Sequence, residues 1–574
     1  MFCLKSFVEN YWSRLDDVIL ARWSDLGKHS ISKLVDFFAL SKNSRLFKRY
    51  AKLRRNSDFA GSEVILVENR TWITDIWALL HFVPHLSALH KAKTLTYDFR
   101  VSRYSFNLNK RIKHKFSLIN AFAPSRLHQF YASPEVSTAH ADIIQSLTSG
   151  NLSKAEFEDF KYRDIQIGDI IYDEFLRTKS EVTLDFSSPS FVFFASTILQ
   201  FCDKLLDFFQ LQNVKAVVVS HHNYKFALPA RVALMHGIET YRLDLFGLVK
   251  MSASKPNSYL NAIEDLRTDL ESLSIKERIQ GQHLAKENLQ ARLKGNVEDL
   301  GMKKHEVFPI NEEEIKFNSD TEKTVILVAL HDFHDAVHAY GSGFYPDFAM
   351  WLEDIGRLTE GKNVTCLIKP HPYQRWDVRN YLEGVCDRFT HFRLISPYIS
   401  NLRLASWGLR HCLTVYGSIA HELPNLGVSV INASTNNPHR GFGFSYTPKD
   451  LEEYRSILGS LDTFEFKPDL SSLLDYYLMR FIIGRPSWIL QNLSEVLNLI
   501  GSFSNPDYEK FLSYFLANVN LEPKCTEQAI YRFIKSNDLS FKQRHFDTND
   551  CVKPESCYCQ SIPNLGDILS SSAE

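Results

Sequence analysis

The sequence predicts an α/β protein of two facing Rossmann-like domains with N-terminal and C-terminal helical additions. Three observations predict it. Short apolar runs alternate with helix-like stretches, the pattern of βαβ units and parallel sheets. The alternation runs once, stops at a polar stretch over 311–322, and restarts. Both ends carry apolar residues at helical rather than strand spacing.

Taken in order, residues 1–57 read as helical, with Phe7, Val8, Trp12, Leu15 and Ile19 on one face. Lys42, Arg45, Lys48, Arg49, Lys52, Arg54 and Arg55 make this segment partly basic. Two readings stand for it: a solvated helix face, or peripheral contact with an anionic membrane surface. An N-terminal Rossmann-like domain is expected over 58–315. Its strands are Glu63–Glu68, a short apolar run of the kind buried on both faces, then Thr94–Phe99, Val214–Ser220 and Glu239–Leu243. Helices are expected over Trp72–Leu89, Phe191–Phe201, Phe226–His236 and Asn261–Lys303. A second Rossmann-like domain is expected over 316–450. Its strands are Thr324–Ala329, Asn363–Lys369, Phe392–Ile395, His411–Val415 and Val428–Asn432, with helices at Asp347–Leu358 and Ile419–Leu426. Helices follow over 451–545, and a polar tail over 546–574.

Composition narrows the function. The chain has 574 residues with Lys+Arg 66 against Asp+Glu 67, so a general nucleic-acid binder, which is usually basic, is disfavoured. No secretory h-region and no uncharged apolar stretch of about 18 residues is visible, which points to a cytoplasmic protein. The cysteines lie scattered, mostly in apolar runs, as reduced core thiols do. Cys551, Cys557 and Cys559 lack a CxxC pair and read as unpaired tail thiols.

In parallel α/β sheets, ligands bind beyond the carboxyl ends of the strands, so the chemistry is sought there. Lys369-Pro-His-Pro372 follows one strand; its prolines fix the backbone and present Lys369 and His371 at the sheet edge. Lysine offers a point charge to phosphate, and histidine a hydrogen bond or a proton. Tyr416-Gly-Ser418 follows another strand. Gly417 permits a tight turn, and Ser418 and the expected helix N-terminus point at an anion. Glu422 lies one turn further in, either near a ribose or as an ordinary first-turn carboxylate. Arg440, with Gly441 and Gly443, sits in a polar loop after the last strand and suits a phosphate or carboxylate. The densest cluster, Leu330–His338, offers His331, Asp332, His334, Asp335 and His338. It lacks a zinc signature, so a loop lining a polar cleft is the better account, with acid–base candidates in His331, Asp332 and Asp335. The first half contributes Glu68, His221 and His222 at its strand ends as candidates for a base or for acceptor contacts, or as satisfied structural groups.

Ile368–Pro372 resembles the lysine- and HP-containing motif of bacterial capsule and surface-polysaccharide transferases. Tyr416–Ile431 resembles their nucleotide-phosphate loop, and Ala329–Phe348 is similar to sequences of capsule-synthesis proteins. The likeness covers roughly 215–245 and 320–450. It extends to Kdo transferases, polysialyltransferases and CDP-glycerol-type polymerases. It implies a GT-B fold with the donor nucleotide on the C-terminal domain, His371 and Ser418 at its phosphate and Glu422 near the nucleotide. The function it implies is transfer of a sugar from a nucleotide-activated donor to a glycan or lipid-linked glycan acceptor at the inner face of the membrane, with no metal and no other cofactor. Three rivals remain: a glycerol-phosphate or polyol-phosphate transferase, a metal-dependent hydrolase built on the His331–His338 cluster, and a non-catalytic assembly partner.

Overall fold

In a computed structural model, the described residues are 61–69, 73–101, 127–150, 152–178, 181–244, 247–253, 266–294, 322–374, 376–483, 501–502, 505–506 and 524–541. The helical, basic segment expected over 1–57, the tail over 546–574 and nearly all of the 311–322 stretch lie outside them.

The first lobe opens with β1 (Glu63–Glu68), helix α1 (Ile73–His90), β2 (Lys93–Val101) and β3 (Leu127–Ala132). Three helices follow: α2 (Ala141–Thr148), α3 (Lys154–Glu158) and, after a small hairpin of β4 (Lys161–Tyr162) and β5 (Ile165–Gln166), α4 (Gly168–Thr178). The long α5 (Pro189–Leu211) leads into β6 (Asn213–Val219), α6 (Leu228–Met235), β7 (Glu239–Leu243) and β8 (Leu248–Met251). The strands β3-β2-β1-β6-β7-β8 form one sheet in that order. All neighbours are parallel except β7 and β8.

Two helices, α7 (Leu266–Glu271) and α8 (Ile275–Leu293), precede the second lobe. One continuous helix was expected over Asn261–Lys303; the chain instead breaks before Ser274. Ser274 and Glu277 form a reciprocal capping box that satisfies the free amides of a new helix start. The second sheet has the order β11-β10-β9-β12-β13, all parallel. Its strands are β9 (Thr324–Ala329), β10 (Val364–Lys369), β11 (Phe392–Leu394), β12 (Leu409–Thr414) and β13 (Ser429–Asn432). Helices α9 (Phe348–Thr359), α10 (Arg379–Arg388) and α11 (Asn401–Ser406) connect them. The helix expected over Ile419–Leu426 is two short 3₁₀ turns, Ser418–His421 and Leu423–Leu426. Pro424 has no amide to donate and its ring would crowd the carbonyl one turn back, and Gly427 (φ 81°) closes the segment.

Taken by order along the chain, the parallel strands of both sheets run 3-2-1-4-5, the Rossmann arrangement, and the first sheet adds the antiparallel β8 as a sixth strand at its edge. β1 and β9 are buried from their second residue onward and β13 along its whole length. One apolar cluster runs through both lobes, from Leu66 and Tyr97 to Trp351 and Tyr454. Trp351 is fully buried and donates its indole N–H to the Tyr454 hydroxyl at 2.8 Å.

The chain then turns helical, with α12 (Leu451–Leu458), α13 (Leu470–Tyr477) and a π-helical turn at Leu478–Ile483. The last described helix, α14 (Lys524–Lys535), returns to the first lobe and packs on α1. There Lys250 donates its backbone amide to the Leu539 carbonyl at 2.7 Å, and Phe541 donates to the Leu248 carbonyl at 2.9 Å. Among the described residues no helix is long and apolar enough to cross a membrane. The described cysteines Cys202, Cys366 and Cys412 are buried and unbridged, and burial pushes the Cys202 and Cys366 thiols up to about 12.

Candidate functional site

A strand order of 3-2-1-4-5 places the ligand crevice where strand 1 meets strand 4, because the connections leave in opposite directions there. In the first sheet that point lies between β1 and β6. Glu68, the last residue of β1, accepts a hydrogen bond from the backbone amide of Ser220 at 2.8 Å. The Ser220 hydroxyl is hydrogen-bonded to His221 Nδ1. His221 is half-buried, with its ring 5.8 Å from Phe226.

His222 turns the other way. Its Nε2–H donates to the Ala339 carbonyl of the second lobe at 2.7 Å. Burial lowers its pKa to about 3, so it stays neutral with the proton on Nε2. Two residues on, Tyr224 has φ 54° and ψ −173°, a region that L-residues with large side chains rarely enter. Arg177 lies over its ring at 4.0 Å, and its hydroxyl donates to Asp335 of the second lobe at 2.7 Å. The loops beyond β6 and β9 therefore touch, and the carboxyl edges of the two sheets face each other.

In the second sheet the strand 1–strand 4 point lies between β9 and β12. His331, just past β9, is packed between Phe348 and Tyr416, with ring centroids 4.8 Å and 4.4 Å away. Its Nε2 receives the Tyr416 amide at 3.4 Å and lies 3.3 Å from the Thr414 hydroxyl, so its proton is assigned to Nδ1. Burial, reinforced by the nearby His371, lowers its pKa to about 3. Gly417 donates its amide to Thr414 Oγ1 at 3.3 Å. A Cβ at Gly417 would stand 2.9 Å from that oxygen and 3.4 Å from the His331 ring, which is why the turn needs glycine. Ser418 is exposed at the start of the first 3₁₀ turn.

His371 is half-buried. Its Nδ1 lies 2.9 Å from the Tyr373 carbonyl, so Nε2 is the nitrogen left for an outside partner. Lys369 extends its ammonium to the Ile399 carbonyl at 2.7 Å and to Asn401 Oδ1 at 3.4 Å. Glu422 accepts from Arg292 Nε at 2.7 Å and from Asn401 Nδ2 at 2.5 Å. Arg440 reaches Asn436 Oδ1 at 3.4 Å, and the Arg267 guanidinium lies beside Gly441. The structure thus links Lys369 to Glu422 through Asn401, and sets Gly417 beside His331. Arg440 has contacts of its own.

The Leu330–His338 cluster does not act as one group. Residues 330–340 form turns, not a helix, and the three histidines enter three environments. His334 is fully buried, 3.4 Å from Asp332, which also accepts the His334 amide at 3.1 Å. Asp335 is exposed and accepts from Tyr224 and from the Ala336 amide. His338 is buried at the lobe seam, 2.7 Å from Asp173 and 3.6 Å from Glu158. Burial alone would lower its pKa; Asp173 and Glu158 overrule this and hold it well above the usual value. Among the described residues, no three or more His, Cys, Asp or Glu side chains are grouped to hold a metal ion.

Asn401, Arg292, Tyr224 and Asp173 escaped the sequence reading. Asn401 had a signal, since Ser400 and Asn401 open a helix after a parallel strand. Arg292 and Asp173 had none, because their partners lie more than a hundred residues away.

No protein-family model matches the chain, and no curated protein sequence matches it. Several solved structures are similar to it. A Thermosulfurimonas dismutans KpsC, beta Kdo 2,4 transferase, is 14% identical, with 46% of this chain and 79% of that chain covered and a TM-score of 0.30. The UDP-GlcNAc 2-epimerase from Neisseria meningitidis is 13% identical over 76% of this chain and 98% of that one, with a TM-score of 0.20. CalG4, a calicheamicin glycosyltransferase, is 11% identical over 73% and 93%, with a TM-score of 0.22. What those names say of activity belongs to those proteins.

Proposed function

We propose that the chain is a metal-independent GT-B glycosyltransferase that moves a sugar from a nucleotide-activated donor to a growing surface glycan or a lipid-linked glycan. What supports this reading is that the loops beyond β6 and β9 touch, His222 to Ala339 and Tyr224 to Asp335, so that two unlike strand-end sets stand on facing sheet edges. The second lobe offers Lys369, His371, Ser418 and Arg440, cations and a hydroxyl suited to phosphate. The first offers a carboxylate and an imidazole, Glu68 and His221, suited to accept a proton. The HP-motif resemblance of Ile368–Pro372 agrees in kind.

In this reading the N-terminal Rossmann-like domain (58–315) takes the acceptor and the C-terminal one (316–450) the donor. The acceptor hydroxyl oxygen bonds to the anomeric carbon while the bond from that carbon to the phosphate oxygen breaks. The hydroxyl proton passes to Glu68 or His221. The charge gathering on the departing nucleotide phosphate is met by Lys369, His371, Ser418 and Arg440. His222 serves as a fixed support rather than a base, since its Nε2–H is committed to Ala339 and its pKa lies far below neutrality. The 3₁₀ turn at Ser418–His421 is too short to act as a helix dipole, so side chains carry the electrostatic work. The reaction takes place at the cytoplasmic face of the membrane, with residues 1–57 as the peripheral contact.

The test is a melting-temperature screen of the full chain against CMP, CDP, UDP and GDP and their sugar conjugates. One of them should raise the midpoint in a concentration-dependent way. No shift with any of them overturns the reading.

A further inference from the structure

We infer that Asn401 is a positioning residue that couples the phosphate-binding Lys369 to Glu422 in the donor site. The inference rests on the donor-site reading above and deepens it. Asn401 is the first residue of α11, and Ser400 caps that helix by accepting the Arg403 amide at 3.1 Å, so the Asn401 backbone is fixed. Its side-chain amide stands between two opposite charges. Oδ1 faces the Lys369 ammonium at 3.4 Å, and Nδ2 donates to Glu422 Oε2 at 2.5 Å. Only this orientation of the amide offers oxygen to the cation and N–H to the carboxylate. The other oxygen of Glu422 is held by Arg292 at the end of α8, and both partners of that pair are largely buried. Glu422 is therefore anchored from behind, and Asn401 transmits its position to Lys369.

A primary amide carries a donor and an acceptor at a fixed separation, so it can hold a cation and an anion apart in one geometry. A direct Lys369–Glu422 salt bridge would neutralise the ammonium and remove it from phosphate recognition. Through Asn401, Lys369 meets an amide oxygen in place of the Glu422 carboxylate, so its ammonium is not spent on Glu422. Glu422 stays placed for a polar group of the same ligand. The ligand class is a nucleotide whose phosphate and sugar hydroxyls are read at one spacing.

The experiment measures binding of CMP, CDP, UDP and GDP to the full chain by calorimetry, in wild type, Asn401→Ala, Asn401→Asp and Asn401→Asp combined with Glu422→Gln. The ligand-free melting temperature of each is recorded. Wild type is expected to bind one of these nucleotides. Asn401→Ala is expected to weaken it about tenfold or more, as for loss of a hydrogen bond to a charged group. Asn401→Asp sets two carboxylates against each other and should weaken it further. Adding Glu422→Gln restores a donor–acceptor pair and should recover part of the loss, which a merely structural role would not produce. Nucleotide binding by wild type with unchanged affinity in Asn401→Ala overturns the inference and leaves the donor-site reading standing. Failure of the double variant to improve on Asn401→Asp also overturns it. Absence of binding by wild type overturns both. Should Asn401→Ala not fold, the Asn401→Asp pair of variants makes the same comparison.

Discussion

Along the seam between the lobes, charged groups are buried and held, by opposite charges at His338 and by converging neutral donors at Asp347. At the carboxyl edge of the second sheet, a cation meets neutral groups. His338 and Asp173 face each other at 2.7 Å with neither more than a few per cent exposed. Asp169 and Arg231 form a two-pronged pair close by. Asp347 caps α9 and also accepts from Tyr172 and Thr183 of the first lobe. Lys369, by contrast, rests on a carbonyl and an amide oxygen, and His371 on a carbonyl. A buried ion pair loses heavily when one partner leaves, since the other charge is stranded. An ammonium on a neutral oxygen loses little and gains when an anion arrives. The seam is built to stay made and the strand-end site to change partners.

Four predictions test this contrast. The largest effect belongs to the seam. His338→Ala should cost about 3–5 kcal/mol in denaturant unfolding, since it strands the buried Asp173 carboxylate, and Asp173→Ala should cost less, since Glu158 still stands 3.6 Å from His338. Replacing both with apolar residues should recover much of that loss. A double variant no better than the singles would remove the ion-pair account. At the strand-end site, His371→Ala should lower transfer about a hundredfold while the folding free energy moves by less than about 0.5 kcal/mol. A large loss of stability would make His371 a seam-type residue.

The third prediction is acid lability. His222 and His439 are buried and His331 is half-buried between aromatic rings, with pKa values lowered to about 3, and that of the buried His411 to about 4. The unfolded chain binds protons at these sites below about pH 6.5 while the folded chain does not, so stability falls as pH drops from there toward 3. The slope is about 1.4 kcal/mol per pH unit for each histidine. His338 has the opposite sign: its contribution is full below about pH 6.5 and is lost as pH rises through its raised pKa. His421, held well below the usual value by burial, adds to these four against His338, so the melting temperature should fall on acidification, and His222→Gln should flatten that fall. A melting temperature independent of pH between 4 and 7 would refute it. The smallest effect is Gly417→Ala, at about 1 kcal/mol. Its φ is −69°, so the cost comes only from crowding Thr414 and His331.

The parallel strands were legible because burial on both faces leaves a continuous apolar run. β1 and β9 lie where those runs lie, to the residue. The edge strand β3, with His128 and Gln129, and the short antiparallel β8 lack that run and left no mark. Sheet order then brings the strand ends together, so the neighbourhood of His331, Tyr416 and Gly417 follows from topology. What separates His331 from His338 is burial against residues far along the chain, and no local spacing encodes that. The link from Lys369 through Asn401 to Glu422 is equally silent, since it joins three different loops.

The return of α14 to the first lobe has its own consequence. The polypeptide passes from lobe one to lobe two and back, and its last described stretch is stitched to β8 by main-chain hydrogen bonds and the packing of Phe533 and Phe541. The halves are thereby joined by two crossings of the chain as well as by their shared apolar cluster. They should melt as one cooperative event, with one calorimetric peak instead of two, and trimming the chain before Lys524 should split that peak.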